Sequence, residues 1–258
     1  MKTITELYNY REMLFSLVRR DLKGRYKGSV LGFFWTFLNP LLQLCVYTFV
    51  FSVIMQNGIE QYYLHLFVAL IPWIFFSTCV SGGAKCIWTQ QDMVKKIYFP
   101  REILPLAFVT SQFINMLLCF VVIFIVLFFS GRPLNIEAWL FLPLIMIIEY
   151  ILSLGFALIS SAVTVYIRDV EYILGIATMA WQFLTPVMYS LERVPAKLMP
   201  VFYLNPMTSI IIAYRDILYY GQFPKLETLV GSFVSGSFFL VLGTVIFKVL
   251  KKNFAEEL

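Results

Sequence analysis

Six long apolar stretches, each close to the thickness of a bilayer core, alternate with connectors rich in basic, aromatic or turn-forming residues. A hydrocarbon layer of about 30 Å takes about 20 residues of α-helix, so windows of that length with few charges are the unit to count. They run from Phe33 to Gln56, Leu64 to Lys85, Ile103 to Phe129, Ala138 to Tyr166, Tyr172 to Ser190 and Thr228 to Val249. A seventh, shorter run from Pro206 to Tyr220 carries Arg215 and Asp216 and reads as a re-entrant or interfacial helix. The pattern predicts an all-α integral membrane protein with six transmembrane helices. Counting the seventh run as a span would move the C-terminus across the membrane.

Helical spacing also marks the connectors. From Thr5 to Lys27, Leu7, Tyr10, Leu14, Leu17, Val18, Leu22 and Tyr26 share one face, and Arg11, Arg19, Arg20, Lys23 and Lys27 fill the other. That is an amphipathic helix lying in the interface, as an anchor or also as a contact for a cytoplasmic partner. Within span one, Asn39 and Pro40 predict a kink, because proline removes a backbone hydrogen bond. Between spans two and three, Met93, Val94, Ile97, Tyr98 and Phe99 alternate with Asp92, Lys95 and Lys96, predicting a short helix with an apolar knob, ended by Pro100. The connector from Leu191 to Glu227 divides at Asn205 and Pro206 into two apolar pieces, Ala196 to Tyr203 and Met207 to Tyr220, expected to dip into the outer leaflet. Arg215 and Asp216 are expected to face water or head groups at the rim, where desolvation costs least. The resulting parse is an interface helix over residues 1–32, a six-span domain over 33–250 and a cytoplasmic tail over 251–258.

Composition supports the membrane reading: 60% of the 258 residues are hydrophobic and only 14% charged, against about 25% charged in soluble domains. Orientation follows from lysine and arginine. With six spans, fifteen of the twenty basic residues fall on the side of the two termini, which are therefore expected in the cytoplasm. The net charge of +5 then reflects topology and attraction to anionic lipid, not nucleic-acid binding. No cleavable signal is expected, since the first thirty residues are charged and lack a continuous apolar run. Cys45, Cys79, Cys86 and Cys119 show no CxxC pairing, so neither a metal site nor a disulfide framework is expected.

Candidate chemistry is sparse. There is no GxxxxGK[ST] phosphate loop, no HExxH and no GxSxG, and His65 is placed at the outer start of span two as an interfacial residue. The chain by itself is not expected to be an enzyme. Glu149, deep in span four, is either a coupling site for a proton or cation or a structural group hydrogen-bonded to Ser153. Lys85 is expected to snorkel to the interface. Tyr47 and Phe51 in span one, with Trp181, Phe183 and Tyr189 in span five, occupy the depth of a conduit, where aromatic faces suit the apolar faces of sugar rings; ordinary packing is the alternative.

The strings RDLKGRYKGSVLGFFWTFLNPLLQ, IPWIFF, KKIYFPREILP, YIRDVEYI and TPVMYS…FYLNPMTSII, in that order, resemble the membrane subunit of ABC type-2 exporters for cell-surface polysaccharides such as O-antigen, capsule or teichoic acid. The resemblance covers nearly the whole chain. It implies a homodimer in the bacterial plasma (inner) membrane, paired with two copies of a cytoplasmic ATPase that binds ATP and Mg while this chain binds no cofactor. Spans one and five would form much of the dimer interface and line the channel. Asp92, Met93, Val94, Lys95, Lys96, Ile97 and Tyr98 would form the helix that couples to the ATPase. Pro200, Asn205, Pro206 and Arg215 would belong to an outer gate. The substrate would be an undecaprenyl-diphosphate-linked polysaccharide, its phosphate drawn to Arg19, Arg20, Lys23, Arg25 and Lys27. An exporter of a drug or lipid, and a secondary transporter using Glu149, are the alternatives left open.

Overall fold

The computed structural model describes residues 2–24, 28–132 and 135–258, and every regular element among them is helical. Helices α1 (Lys2–Asn9) and α2 (Arg11–Gly24) precede α3 (Trp35–Thr48), which continues into a π-helical turn over Phe49–Ile54. Then come α4 (Tyr62–Gly83), α5 (Gln91–Lys96), α6 (Ile103–Phe129), α7 (Ile136–Trp139), α8 (Leu142–Tyr166) and α9 (Val170–Phe183). The chain closes with α10 (Met199–Leu204), α11 (Pro206–Leu218), α12 (Leu226–Leu250) and α13 (Phe254–Glu257). Helix is the expected solution here, because a lone apolar segment in hydrocarbon satisfies its backbone only within itself.

Among the described residues, five helical stretches are long and apolar enough to cross a membrane: Gly32–Ile54, Tyr62–Gly83, Ile103–Phe129, Ile136–Tyr166 and Leu226–Asn253. These correspond to the expected spans one, two, three, four and six. The fifth differs. Helix α9 has 14 residues, a length of about 21 Å against about 30 Å of hydrocarbon, and stops at Phe183. Pro186 has no N–H with which to continue the ladder, and the Thr185 hydroxyl bonds back to the Trp181 carbonyl at 2.9 Å. The chain nevertheless follows α4 from end to end. Lys85 pairs with Glu171, Trp181 packs 5.1 Å from Phe76, and the Tyr62 hydroxyl donates to the Met188 carbonyl at 2.7 Å.

Helix α4 is the hub, packed by α3, α6, α8, α9 and α11, and it is buried almost continuously from Leu64 to Phe76. At the end where the chain begins, the apolar face of α2 meets the connectors and the C-terminal segment: Leu17, Val18, Ile87, Val94, Phe99, Phe247 and Phe254 form one buried cluster. The expected single N-terminal helix is divided at Tyr10, although its N–H still reaches the Glu6 carbonyl. The C-terminal segment is packed rather than trailing. Lys251 bonds Glu102 at 2.5 Å, and Arg101 donates to the Lys251 carbonyl. At the opposite end, Arg132 ties three loops together, reaching Gln61 at 2.8 Å and both the carbonyl and hydroxyl of Tyr219 at 3.1 Å. Burial raises the Tyr219 phenol, and the Arg132 guanidinium opposes that rise.

The tightest helix pair is α8 with α12. A Cβ at Gly155 would lie 2.5 Å from the Phe239 carbonyl carbon, and one at Gly243 only 2.3 Å from the Gly155 oxygen. Gly236 similarly faces Ile148, so residue numbers increase together on the two helices and they run parallel. Small residues are needed because lipid chains are as apolar as leucine, which leaves close packing to drive association. Gly243→Ala is expected to lower stability by about 1–3 kcal/mol, since the obstructing atoms are backbone that cannot rotate away. Gly231→Ala on the same helix, with its nearest neighbour at 3.9 Å, should leave stability unchanged or slightly raised. Thermal unfolding of the two purified variants makes the comparison.

Candidate functional site

The interruption after Phe183 sets up the most chemically specific region of the bundle. Non-helical backbone in a bilayer requires partners within the protein, and named side chains supply them. Asn205 Nδ2 donates to the Leu184 carbonyl at 3.1 Å and to the Thr185 hydroxyl at 2.8 Å. Arg215 Nη2 donates to the Val187 carbonyl at 2.7 Å, and its Nη1 to the Tyr189 carbonyl at 3.1 Å. Tyr62 serves Met188, and the Tyr189 hydroxyl serves the Phe183 carbonyl at 2.6 Å.

Arg215 therefore does not face water at a rim, as its sequence position suggested. It is 4% exposed, and no carboxylate among the described residues lies within ion-pair distance. Its planar fork suits several carbonyls at once, and three converge on it, counting the longer 3.4 Å contact from Nε to the His65 carbonyl. His65 is likewise buried rather than interfacial, edge-on to Tyr219 at 5.0 Å. Asn205 also caps α11, its Oδ1 accepting from the Met207 N–H at 3.0 Å, with Pro206 at the first helical position where no N–H is missed. The same oxygen accepts from Trp181 Nε1 at 3.0 Å, so α9 and the start of α11 are held by one residue. Pro200 lies in the first turn of α10, on the exposed side.

Of the five aromatic residues expected along a conduit, Trp181 is half-buried against Trp73, Phe76 and Phe156. Phe183 is exposed, and Tyr189 is half-buried with its ring near Phe202. Phe51, on the π-helical turn, meets Tyr62 at 6.2 Å, and Tyr47 rests half-buried on the core. The structure thus joins Phe183 and Tyr189 by a hydrogen bond and leaves Tyr47 apart on α3. Glu149 is fully buried and accepts from the Tyr214 hydroxyl at 2.7 Å, binding α8 to α11. The expected partner, Ser153, does not take that role, since its hydroxyl is buried without a hydrogen bond in the described structure.

At the other end, α5 corrects the expected knob. Val94 is 4% exposed and Met93 half-buried, both turned into the cluster shared with α2 and Phe254, while Ile97 and Tyr98 project at 59% and 87% exposure. The helix stops at Lys96, ahead of Pro100, because the backbone turns extended at Ile97. Asp92, Lys95 and Lys96 surround the projection and are exposed. Arg19, Arg20 and Lys23 are carried on α2, whereas Arg25 and Lys27 lie outside the described residues. Arg20 shares a cavity of about 520 Å³ with Asp21 and Lys85, between α2 and the ends of α4 and α6. Lys85 does not snorkel freely but pairs with Glu171.

Tyr62, Thr185 and Tyr214 were not singled out by the sequence pattern. A Thr-Pro step inside an apolar run and an arginine inside another were the available signals, and only the fold links them.

Similarity to known proteins follows the same architecture. Over its full length the chain is 35% identical to the O-antigen export system permease protein RfbA of Myxococcus xanthus, covering all of both chains. It is 31% identical to the protein of that name from Klebsiella pneumoniae over 96% of this chain and 95% of the other. The polysialic acid transport protein KpsM of Escherichia coli is 23% identical over 80% of this chain and 81% of its own. Residues 12–219 match the family model described as ABC-2 type transporter. A helical multi-pass chain with five long spans, a broken helix beside α4 and this match over most of its length belongs to the ABC-2 type transporter membrane family.

Proposed function

We propose that the chain is the membrane subunit of an ATP-driven exporter that moves a lipid-linked cell-surface polysaccharide out of the cytoplasm through a channel between two copies of itself. The observation that carries the reading is how little of the first span and of α9 is covered: Gly32–Ile54 is the least buried of the five long apolar stretches, and α9 buries Thr178 alone. Leu42 and Val46 on α3 with Val53 on the π-helical turn that continues it, and Ile173, Ile176 and Met179 on α9, are exposed along the depth of the bilayer, although the neighbouring helix α4 is almost wholly covered. The names of the relatives, O-antigen export permease and polysialic acid transport protein, favour a polysaccharide over a drug. In this reading residues 170–188 make the fifth of six crossings, which the parallel run of α8 and α12 supports, and both termini are cytoplasmic. Glu149, enclosed and bonded to Tyr214, serves packing rather than ion coupling.

Energy then comes from two copies of a separate ATPase docked below, which bind ATP and Mg. The projecting Ile97 and Tyr98 are the apolar contact, and Asp92, Lys95 and Lys96 its polar rim. Arg19, Arg20 and Lys23, with Lys85 nearby, attract the diphosphate of an undecaprenyl carrier. Residues 196–220, with Pro200, Asn205, Pro206 and Arg215, form the outer gate, and Tyr47, Phe51, Trp181, Phe183 and Tyr189 offer aromatic faces near the path.

Three measurements test the parts separately. In a cysteine-free background, Leu42→Cys combined with Met179→Cys should give an oxidative cross-link between protomers. Val121→Cys on the exposed face of α6 should not; the reverse pattern rejects the proposed interface. Ile97→Asp with Tyr98→Asp should weaken ATPase association tenfold or more, since burying one large apolar side chain contributes about 1.5–3 kcal/mol, and unchanged association in pull-down rejects the docking assignment. Arg215→Leu leaves the Val187 and Tyr189 carbonyls without their donor at about 1–3 kcal/mol each. The gate reading expects lower thermal stability together with faster labelling of a cysteine at Thr185 by an impermeant reagent.

A further inference from the structure

A second polar site lies away from the interrupted crossing. Between α3, α4 and α6 is a cavity of about 250 Å³ whose wall carries Trp35, Thr36, Asn39, Thr78, Gln112 and Asn115. Gln112 is nine residues into α6, about 14 Å along the helix from Ile103, so the site falls within the spans rather than at their ends. Asn115 is 9% exposed, and its Oδ1 is buried without a hydrogen-bond partner in the described structure. Pro40, also in the wall, has no N–H to offer the Thr36 carbonyl, which accepts from the Cys119 thiol at 3.4 Å. Asn115 thus lines an intramembrane space while its Oδ1, just beneath the wall, has no protein group among the described residues to accept from.

The lining specifies a chemistry. It contains no lysine, arginine, histidine, aspartate or glutamate, which argues against phosphate, carboxylate or ammonium ligands. Three primary amides and two hydroxyls both donate and accept, whereas a bare cation would need acceptors alone. Hydroxyl groups also do both. Phe75 and Trp35 add flat apolar faces of the kind that stack on a ring's C–H side. The volume is below the about 300–1,000 Å³ of sites for drug-sized molecules, enough for a single small ring or a glycerol.

We propose that this pocket binds the neutral polyol headgroup of an amphiphile, one sugar ring or one glycerol, within the inner half of the bundle. Trp35 and Asn39 at the mouth share a face of α3 with Leu42 and Val46, by their spacing of four, three and four residues. The pocket therefore opens beside the proposed conduit. That adjacency rests on the exporter reading; binding itself does not, and it is measurable in the full chain without ATPase or nucleotide.

The test places the full chain in phosphatidylethanolamine nanodiscs doped with monoglucosyl diacylglycerol, phosphatidylglycerol or phosphatidic acid, and counts retained lipid by native mass spectrometry. Glucosyl lipid should be retained over phosphatidic acid, and Asn115→Leu and Thr78→Val should each reduce that retention about tenfold. Preferential retention of phosphatidylglycerol with the same dependence on both variants assigns the polyol to glycerol and upholds the site. Equal retention of all three lipids, or retention unchanged in both variants, overturns it. Thr78→Val conserves volume at a half-buried position, so the test stands if Asn115→Leu fails to fold. Protomer cross-linking is read separately, so failure of this site and failure of the exporter assembly give different results.

Discussion

The organisation of this protein depends on hydrogen bonds for five consecutive peptide units that are not in a helix, from Leu184 to Met188, in surroundings built from apolar helices. Without water, each unpaired carbonyl there costs more than one interior hydrogen bond returns. Asn205, Arg215 and Tyr62 meet that requirement, the first two from the cap and the body of α11 and the third from α4. Their reach determines where α11 sits: it must lie deep enough to bring the Arg215 guanidinium beside Val187, and this places Met207, Ile210, Ile211 and Tyr214 in the core. Glu149 then finds Tyr214, which joins α8 to the same assembly.

Around this arrangement the helices pack by the rule that small residues allow close approach where lipid offers no hydrophobic gradient. Gly155 and Gly243 bring α8 and α12 into backbone contact, and Phe156 stacks on Phe239 at 4.3 Å beside them. The side of the bundle so formed is closely matched. Helix α12 turns Phe233, Phe238 and Val245 outward on its other face, and α3 and α9 likewise carry large side chains on their outward faces. A first span and an α9 that bury few of their own residues are what a subunit needs if its path for cargo is completed by a second copy.

The two ends of the bundle have different chemistry for the same reason. Arg132 secures three loops with side-chain and carbonyl bonds at one end. At the other, apolar residues from α2, the α4–α5 connector and Phe254 make a true hydrophobic cluster, so the exposed pair Ile97 and Tyr98 rests on a packed base. That base is shared with α6 and α12 through Leu104 and Phe247.

Length and hydropathy alone determined much of this. An uninterrupted apolar run such as Ile103 to Phe129 has a single low-energy form in hydrocarbon, and the helix has those same limits. The amphipathic face of α2, the division at Asn205 and Pro206 and the family resemblance were equally local, hence legible. What the chain order does not contain is which polar groups meet. Arg215 looked like a rim residue because hydropathy rates a charge by its own solvation, not by carbonyls supplied from residues 26 and 28 positions away. Val94 looked like part of a projecting knob because alternation of apolar and charged residues does not say which apolar side chains a distant helix will cover. Ser153 was the nearest partner for Glu149 in sequence, but Tyr214, 65 residues on, was nearer in space. Tertiary structure decided these pairings, since an unpaired polar group inside a membrane is costly and takes whichever partner the packing brings within reach.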